Sequence, residues 1–321
     1  MRVVKGIGGI ELAKNVLDMT HQEWLRERTK GIGGSDASVV LGLNKYKTPF
    51  ELWLEKTGQV NVEESGGEAA YFGTLLEDLV AKEFEKRTGK NVRRNNFILH
   101  HPEHDFIIAN IDRKVVGEKA LLECKTANAF LAKDWESEDV PAPYLVQVQH
   151  YLGVTGYDKA YIAVLVGGQK FIWKEIERDD ELIDMIFEEE KHFWNHHVLG
   201  NVPPALDGSS AAEKYLNERY QKTDPDKVVD LSFSYKEKLD NYFELKQQEK
   251  ELKALIKQTE NELKQELQDA EIGITKGYQV TWKPITQNRV DSKLLKEKYP
   301  DIYNSVLKQT KYRRFSVKEI D

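Results

Sequence analysis

The chain has 321 residues, of which 40% are hydrophobic and 31% charged, and its formal net charge is −7. This length fits one large domain with an extension, or two domains. There is no apolar run of membrane-spanning length and no secretory-type start, so we expect a cytoplasmic protein without a membrane partner. The single cysteine excludes an internal disulfide and a cysteine-based zinc or iron–sulfur site. The acidic charge means that any nucleic-acid contact depends on local patches or bridging metal ions.

A glycine-rich turn leads into a helix near the start of the chain. Residues 20–30 predict a short helix that is capped by Thr20, with Glu23 in the capping-box position. Residues 31–34 (GIGG) follow, and Ser35 is predicted to cap a second helix. Such a turn offers backbone N–H groups to an anion, although an ordinary turn and cap would also explain these residues.

The middle of the chain alternates between helical and strand patterns. A helix is predicted to open at Thr48-Pro49, and a longer helix over 70–88 carries Glu77 and is expected to bury Leu75 and Leu79. Further strands are predicted over 91–99, 160–166 and 170–176, and further helices over 144–155 and 180–199.

Acidic side chains interrupt two apolar strands that are predicted within residues 106–126, on either side of a turn at Gly117-Glu118. Asp112 lies in the first strand, and Glu123 and Lys125 lie in the second. Because side chains in a strand alternate, Glu123 and Lys125 share a face, and a hairpin would place Asp112 beside them. Two adjacent carboxylates repel unless a cation lies between them, and oxygen ligands suit Mg²⁺. Lys125 would then hold and activate a water.

Two further observations bear on this candidate site. The Cys124 side chain points to the opposite face of its strand, so only the backbone carbonyl of Cys124 would face a metal. Gln147 and Tyr151, four residues apart on the next predicted helix, share a face. Short acid patterns are often structural, but the interrupted apolar strands and the following helix favour a hydrolytic metal site.

The composition changes after residues 201–204 (NVPP), which predicts a domain over 1–205 and an extension over 206–321. Residues 235–270 predict a long helix or a helical hairpin with an imperfect heptad pattern. A small β-hairpin and a basic tail with aromatic residues, KYRRF at 311–315, are predicted to follow.

The order of motifs resembles the PD-(D/E)XK nuclease superfamily. Asp112 is similar to its metal-binding acid, residues 123–125 (ECK) to its ExK motif, and residues 147–151 (QVQHY) to the QxxxY motif of its RecB-like branch. Ile111 stands where the superfamily usually has proline, and the helix with Glu77 resembles its upstream acidic helix. The resemblance implies an α/β, restriction-endonuclease-like core with a mixed central sheet flanked by helices, followed here by a mostly helical C-terminal extension.

A narrower resemblance, over about residues 20–200, is to the lambda-exonuclease-like, YqaJ-type viral recombinase family. It is carried by residues 24–28 (WLRER) and 31–38 (GIGGSDAS) together with the motifs above. The resemblance implies that the turn binds the 5′ phosphate of a DNA end and that the acids bind metal. The implied DNA-contacting residues are Arg28, Gly34, Ser35 and Tyr151; the implied metal ligands are Glu77, Asp112, Glu123 and the Cys124 carbonyl; and Lys125 and Gln147 are implied to orient the attacking water.

The same resemblance implies a Mg²⁺-dependent exonuclease, with Mn²⁺ able to substitute, that degrades one strand of linear duplex DNA from 5′ to 3′. Its tails would serve phage-type recombination with a single-strand annealing protein, in a bacterial host. It also implies a ring-shaped homotrimer. Two alternatives stay open. One is a structure- or site-specific endonuclease on the same fold, and the other is a non-catalytic DNA-binding or annealing protein whose acids are structural.

Overall fold

The computed structural model describes residues 14–60, 67–308 and 313–318. It divides the chain into two compact units, Met1–Glu218 and Arg219–Asp321. Most of the polar loop that was predicted over 59–68, and residues 311–312 of the predicted basic tail, lie outside the described residues.

Helices and strands alternate through the first unit. Its helices are α1 (His21–Thr29), α2 (Gly34–Val40), α3 (Pro49–Lys56), α4 (Gly67–Thr88), α5 (Ala132–Glu136), α6 (Ala142–Thr155), α7 (Asp180–His192) and α8 (Ser210–Arg219). Its strands are β1 (Lys14–Asn15), β2 (Val92–Arg94), β3 (Phe97–His100), β4 (Ile108–Ala109), β5 (Arg113–Val115), β6 (Ala120–Ala127), β7 (Lys159–Val166) and β8 (Lys170–Glu177). The capping box of α1 is confirmed, since Thr20 and Glu23 bond reciprocally.

The central sheet has five strands in the order β2-β5-β6-β7-β8. β6 and β7 are parallel and the other neighbours are antiparallel, so the sheet is mixed. The parallel pair requires a crossover, which α6 provides. The predicted α/β core with a mixed central sheet and flanking helices is therefore confirmed.

Alternation along β6 decides which side chains meet which helix. Leu121 packs in the cluster that contains Val148 and Leu152 of α6. Leu122 packs on the other face of the sheet, in the cluster that contains Phe84 of α4, and the Cys124 side chain joins it there. The side chains at 123 and 125 therefore face α6.

The strands that were predicted over 91–99 and 106–116 are each divided in two. β2 and β5 belong to the central sheet, whereas β3 pairs with both β1 and β4 in a separate small sheet. The break falls at polar residues, where the backbone N–H of Asn95 donates to the backbone carbonyl of Asp112 at 3.2 Å. The Asn95 side chain bonds the Phe97 carbonyl at 2.8 Å, which turns the chain out of the sheet.

The apolar face of α4 differs from the prediction. Val80, Ala81 and Phe84 are buried, whereas Leu75 and Leu79 are 59% and 53% exposed. The buried side chains follow the spacing of a single helical stripe, and Leu75 and Leu79 lie off that stripe. The sheet therefore covers a narrower face of the helix than its leucine content suggested.

The second unit is mostly helical, as predicted. Residues 235–270 form most of one 34-residue helix rather than a helical hairpin. None of the helices in the described residues is long and apolar enough to cross a membrane. The elements of this unit are α9 (Ser234–Leu267), β9 (Ile272–Thr275), β10 (Tyr278–Thr281), α10 (Ser292–Lys298) and α11 (Pro300–Val306).

The division between the units falls later than the boundary predicted at 205/206. Ala212 on α8 is buried in a cluster with Phe50 and Trp53 of α3. The Tyr215 ring contacts both of these aromatic rings at centroid distances of 5.4 and 5.7 Å. This apolar packing makes α8 part of the first unit.

The contact between α6 and α7 depends on a small residue. A Cβ atom at Gly153 would lie 2.4 Å from the Phe187 ring and 2.8 Å from Ile183, so we expect Gly153→Ala to destabilise the fold by about 1–3 kcal/mol. Gly73 is also inside a helix, but among the described residues its Cβ would meet only Thr126, at 3.6 Å. Gly73→Ala is the matched control and should be neutral or stabilising by up to about 1 kcal/mol. Urea unfolding of both variants measures the difference, and equal stabilities would contradict this packing.

Candidate active site

The predicted acid pair is assembled between β5 and β6. The antiparallel register pairs Arg113 with Leu122, and its continuation sets Asp112 opposite Glu123. The Oδ2 atom of Asp112 accepts a hydrogen bond of 2.8 Å from the Cys124 amide nitrogen. Residues 11 positions apart in the chain are thus adjacent across the sheet, as the hairpin model requires.

Glu123 is buried and held by its neighbours on one side only. Its Oε1 atom accepts a 2.7 Å hydrogen bond from the Gln147 side chain on α6 and forms a 2.7 Å ion pair with Lys125. Its Oε2 atom is buried and has no hydrogen-bond partner among the described residues. A buried carboxylate oxygen without a partner is energetically costly, so this atom is suited to an additional ligand.

The charges in this site perturb one another. Burial, followed by the negative charges of Glu123 and Glu77, raises the pKa of Asp112 well above its usual range. Burial alone would lower the pKa of Lys125, but the carboxylates of Glu123 and Asp112 outweigh it and the pKa is raised. The site therefore disfavours two charged carboxylates unless a positive charge beyond that of Lys125 is supplied.

Cys124 contributes through its backbone. Burial, and then the charges of Asp112 and Glu123, raise the pKa of its thiol, which stays neutral. The N–H and C=O groups of one strand residue point towards the same neighbouring strand. Since the Cys124 N–H points at Asp112, the Cys124 carbonyl is directed to the same side, as predicted for a metal ligand.

The structure directs Glu77 elsewhere. Its carboxylate forms an ion pair with Arg113, which is buried on the α4 face of the sheet and also pairs with Asp78. Within the described parts of the chain, no group of three or more His, Cys, Asp or Glu side chains is arranged to hold a metal ion. The predicted ligand set of Glu77, Asp112 and Glu123 is therefore not assembled here, because the buried guanidinium competes for Glu77. Arg113 was not among the predicted site residues. Strand alternation points its side chain to the face opposite Asp112, where it meets Glu77 and Asp78 of α4.

The glycine turn brings together the two side chains that were predicted to bind a 5′ phosphate. Arg28 donates a 3.0 Å hydrogen bond to the Ser35 hydroxyl, and its guanidinium lies 4.9 Å from the Trp24 ring centroid. The helix cap is Gly33 rather than Ser35, because the Asp36 carboxylate accepts from the Gly33 amide at 3.1 Å. Ser35 thus lies in the first turn of α2 and meets Arg28.

A buried ion pair that the sequence did not reveal supports this turn. Lys56 on α3 lies 2.7 Å from Asp36, and both side chains are almost fully buried. Lys56 also donates to the Arg28 carbonyl at 2.8 Å. Although burial opposes the shift, the charge of Lys56 holds the pKa of Asp36 far below its usual range. The pair fixes α1, α2 and α3 around the turn.

Direct packing connects the turn to the acid pair. A Cβ atom at Gly34 would lie 2.5 Å from the Tyr151 ring and 2.9 Å from the Gln147 carbonyl, so only glycine fits here. Tyr151 in turn accepts a 3.1 Å hydrogen bond from Gln147, whose amide also bonds Glu123. The predicted residues Gly34, Tyr151 and Gln147 therefore form one continuous contact between the two parts of the site.

The remaining polar residues of the QVQHY motif fix α6 in place. Gln149 bonds the Glu177 carbonyl at 2.8 Å and the Asp179 amide at 3.0 Å. His150 bonds the Ile108 carbonyl at 2.8 Å and the buried carboxylate of Glu190 at 2.7 Å. These bonds set the position from which Gln147 reaches Glu123.

One cleft of about 290 Å³ joins the two parts of the site. Ser35 of the turn lines it together with Lys125 and Gln147. Aromatic and proline side chains and the Asp134 carboxylate also line it. One of the aromatic residues is Tyr144, whose ring centroid lies 5.5 Å from the Lys125 ammonium.

Comparison with known proteins identifies the family. Residues 23–158 match the model of the YqaJ-like viral recombinase domain. The chain is 60% identical over 311 residues to the uncharacterized protein YqaJ of Bacillus subtilis (strain 168), covering 96% of this chain and 97% of that protein. The chain belongs to the YqaJ-like viral recombinase family. The resemblance noted from residues 24–38 and the strand motifs is confirmed.

Solved structures similar to this YqaJ-like protein include two exonucleases. An alkaline exonuclease from Laribacter hongkongensis is 22% identical, with 55% of this chain and 91% of that chain covered and a TM-score of 0.47. A phage-related exonuclease from Haemophilus somnus 129PT is 18% identical, with 53% and 95% covered and a TM-score of 0.45. At this level of similarity, the chemistry of the YqaJ-like protein has to be derived from its own geometry.

The Asp36–Lys56 pair makes a stability prediction. Lys56→Met leaves a buried carboxylate without its cation, so we expect a loss of about 3–5 kcal/mol near neutral pH. In the parent, the lowered pKa of Asp36 contributes stability above its unfolded pKa, which is lost as the pH falls through the folded pKa. In the variant, Asp36 can be protonated at mildly acidic pH, so the deficit should shrink as the pH falls towards about 4.

Urea unfolding at several pH values measures this deficit, with the exposed Lys45→Met as the matched control. A deficit that is small, or the same at every pH, would show that the pair does not support the turn.

Proposed function

We propose that this protein is a metal-dependent DNA exonuclease that degrades one strand of linear duplex DNA from a 5′-phosphorylated end, from 5′ to 3′. The observation that carries the proposal is the single cleft that joins Ser35 to Lys125 and Gln147. An anion site and a hydrolytic site that share a cleft suit an enzyme that holds a terminal phosphate close to the bond it cuts. Membership of a viral recombinase family supports a role in DNA processing.

The acid pair fits a hard divalent cation. Asp112 and Glu123 lie opposite each other on neighbouring strands. The buried Oε2 atom of Glu123 has no partner among the described residues. Oxygen donors of this kind suit Mg²⁺, for which Mn²⁺ can substitute. We propose that Asp112, Glu123 and the Cys124 carbonyl hold the metal; Glu77 would have to leave Arg113 to join them. When bound, the metal supplies positive charge for the developing charge on the phosphate.

The chain's own side chains divide the remaining work. Lys125, held by Glu123 at 2.7 Å, reaches the cleft and can orient the attacking water by hydrogen bonding. Gln147 fixes Glu123 and lines the same cleft. The Arg28 guanidinium and the Ser35 hydroxyl hold the terminal phosphate, as a charged donor and a neutral one, beside the backbone amides of the turn.

The proposed setting is the cytoplasm of a bacterial host, with a phage or prophage source and a single-strand annealing protein as partner. A homotrimer that encloses the DNA would retain it despite the net charge of −7, since a closed ring holds DNA without long-range attraction. These proposals follow from the family resemblance.

The first test separates an exonuclease from an endonuclease. With Mg²⁺, linear 5′-phosphorylated duplex should be degraded while closed circular duplex stays intact. Lys125→Ala and Asp112→Ala should slow degradation by about 10²–10⁴-fold, because each removes a group that positions or activates the reacting atoms. Gel analysis and release of acid-soluble nucleotides measure both effects.

The exposed lysine variant Lys133→Ala is the matched control and should keep the parent rate. Cutting of the circle would favour the endonuclease alternative. Unchanged rates in both site variants would favour a binding protein whose acids are structural.

The second test concerns the DNA end. The parent should degrade 5′-phosphorylated duplex faster than 5′-hydroxyl duplex. Arg28→Ala should reduce this preference by about 10–100-fold, since hydrogen bonds to charged groups contribute about 1.5–3 kcal/mol. Arg26→Ala, an exposed arginine on the same helix, is the control and should keep the preference. Equal rates on both ends in the parent would show that the turn does not bind the phosphate.

A further inference from the structure

The loop between α2 and α3 presents an aromatic ring at the cleft. Asn44, Lys45 and Tyr46 all line the cleft that also contains Ser35, Lys125 and Gln147. Tyr46 is 85% exposed, and its ring makes no aromatic contact within the described residues. The ring therefore contributes little to the packing of the core. It is exposed to a ligand that occupies the cleft.

The backbone under Tyr46 is fixed by one side chain. The Oδ1 atom of Asn44 accepts hydrogen bonds from the amides of Tyr46 and Lys47, at 2.8 and 3.1 Å. The Asn44 amide nitrogen donates to the Ser38 hydroxyl at 3.3 Å. The far end of the loop is tied to α3, because the Lys47 ammonium pairs with Glu55. Because the backbone is held at both ends, a ligand that packs on the ring has to order only the side chain and not the loop.

The same bonds connect Tyr46 to the phosphate-binding turn. The Ser38 hydroxyl, which accepts from Asn44, donates to the Ser35 carbonyl at 3.2 Å. The Asn44 backbone amide also bonds the Ser38 carbonyl at 3.1 Å. Hydrogen bonds through Ser38 and Asn44 thus connect the backbone of Ser35 to the backbone of Tyr46. A ligand that is anchored at Ser35 therefore lies in the cleft that Tyr46 also lines.

We propose that Tyr46 is a stacking residue for the terminal nucleobase of the DNA strand whose 5′ phosphate lies at Arg28 and Ser35. The inference rests on the proposed exonuclease function and adds a base contact to its phosphate contact. A tyrosine face stacks on any base, so this contact serves an enzyme that must accept every sequence. Lys45 and Lys125 line the same cleft and outnumber its one carboxylate, Asp134, which suits a nucleic-acid backbone.

The test measures stacking directly on the full chain in EDTA, where metal-dependent cleavage cannot occur. The probe is a 5′-phosphorylated hairpin duplex with 2-aminopurine as its 5′-terminal base, whose fluorescence is quenched by stacking. We expect Tyr46→Ala to lose the quenching that binding produces and to bind about tenfold more weakly, within the ~1–3 kcal/mol measured per stacked base. Tyr46→Phe should retain both properties. Tyr278→Ala, which removes a 74% exposed tyrosine from the second unit, is the matched control.

A second duplex with an abasic 5′-terminal nucleotide tests whether the base is the partner of the ring. It should bind the parent about as weakly as the normal duplex binds Tyr46→Ala, and Tyr46→Ala should lose nothing further on it. Parent-like quenching and affinity in Tyr46→Ala would overturn the stacking assignment alone, provided that the parent degrades linear duplex from 5′-phosphorylated ends. A parent that neither binds nor degrades the duplex would overturn the proposed function as well.

Discussion

The candidate site depends on the confinement of two carboxylates, Asp112 and Glu123, between neighbouring strands. The sheet register forces them together, and burial raises the cost of their repulsion. One side of Glu123 is satisfied by Gln147 and Lys125, which leaves a buried oxygen for another ligand. A purely structural acid pair would be expected to have its oxygens bonded within the protein. This oxygen, which has no partner among the described residues, is what supports the proposed metal site.

The same confinement orders the surroundings of the site. Gln147 reaches Glu123 only while α6 stays at its present distance from the sheet. Gln149 and His150 fix that helix through bonds to the carbonyls of Glu177 and Ile108. Gly34 then allows α2 to approach α6 closely enough to contact Tyr151. The distance between the glycine turn and the acid pair is therefore set by close packing of helices. Such packing suits the proposed enzyme, in which a phosphate held at the turn lies at a fixed distance from the acids.

Much of the site was predictable because its motifs are local. Strand alternation placed Glu123 and Lys125 on one face, and the helical spacing paired Gln147 with Tyr151. The Arg28–Ser35 contact was expected from the family resemblance, and the structure brings these two side chains to 3.0 Å. The role of each residue in catalysis follows from this geometry only as a proposal.

The sequence by itself determined the α/β class, the order of helices and strands and the positions of the site motifs, because hydrophobic periodicity and helix caps are local properties. Tertiary structure decided the rest. Arg113 pairs with Glu77, and Lys56 neutralises Asp36, through contacts between residues that are 36 and 20 positions apart. The division of two predicted strands between separate sheets likewise depends on a contact between separate segments, the bond from Asn95 to Asp112. Tyr46 lines one cleft with Lys125 and Gln147 only because those remote segments pack beside its loop. Local periodicity cannot specify such contacts, because they form only when remote parts of the chain are packed together.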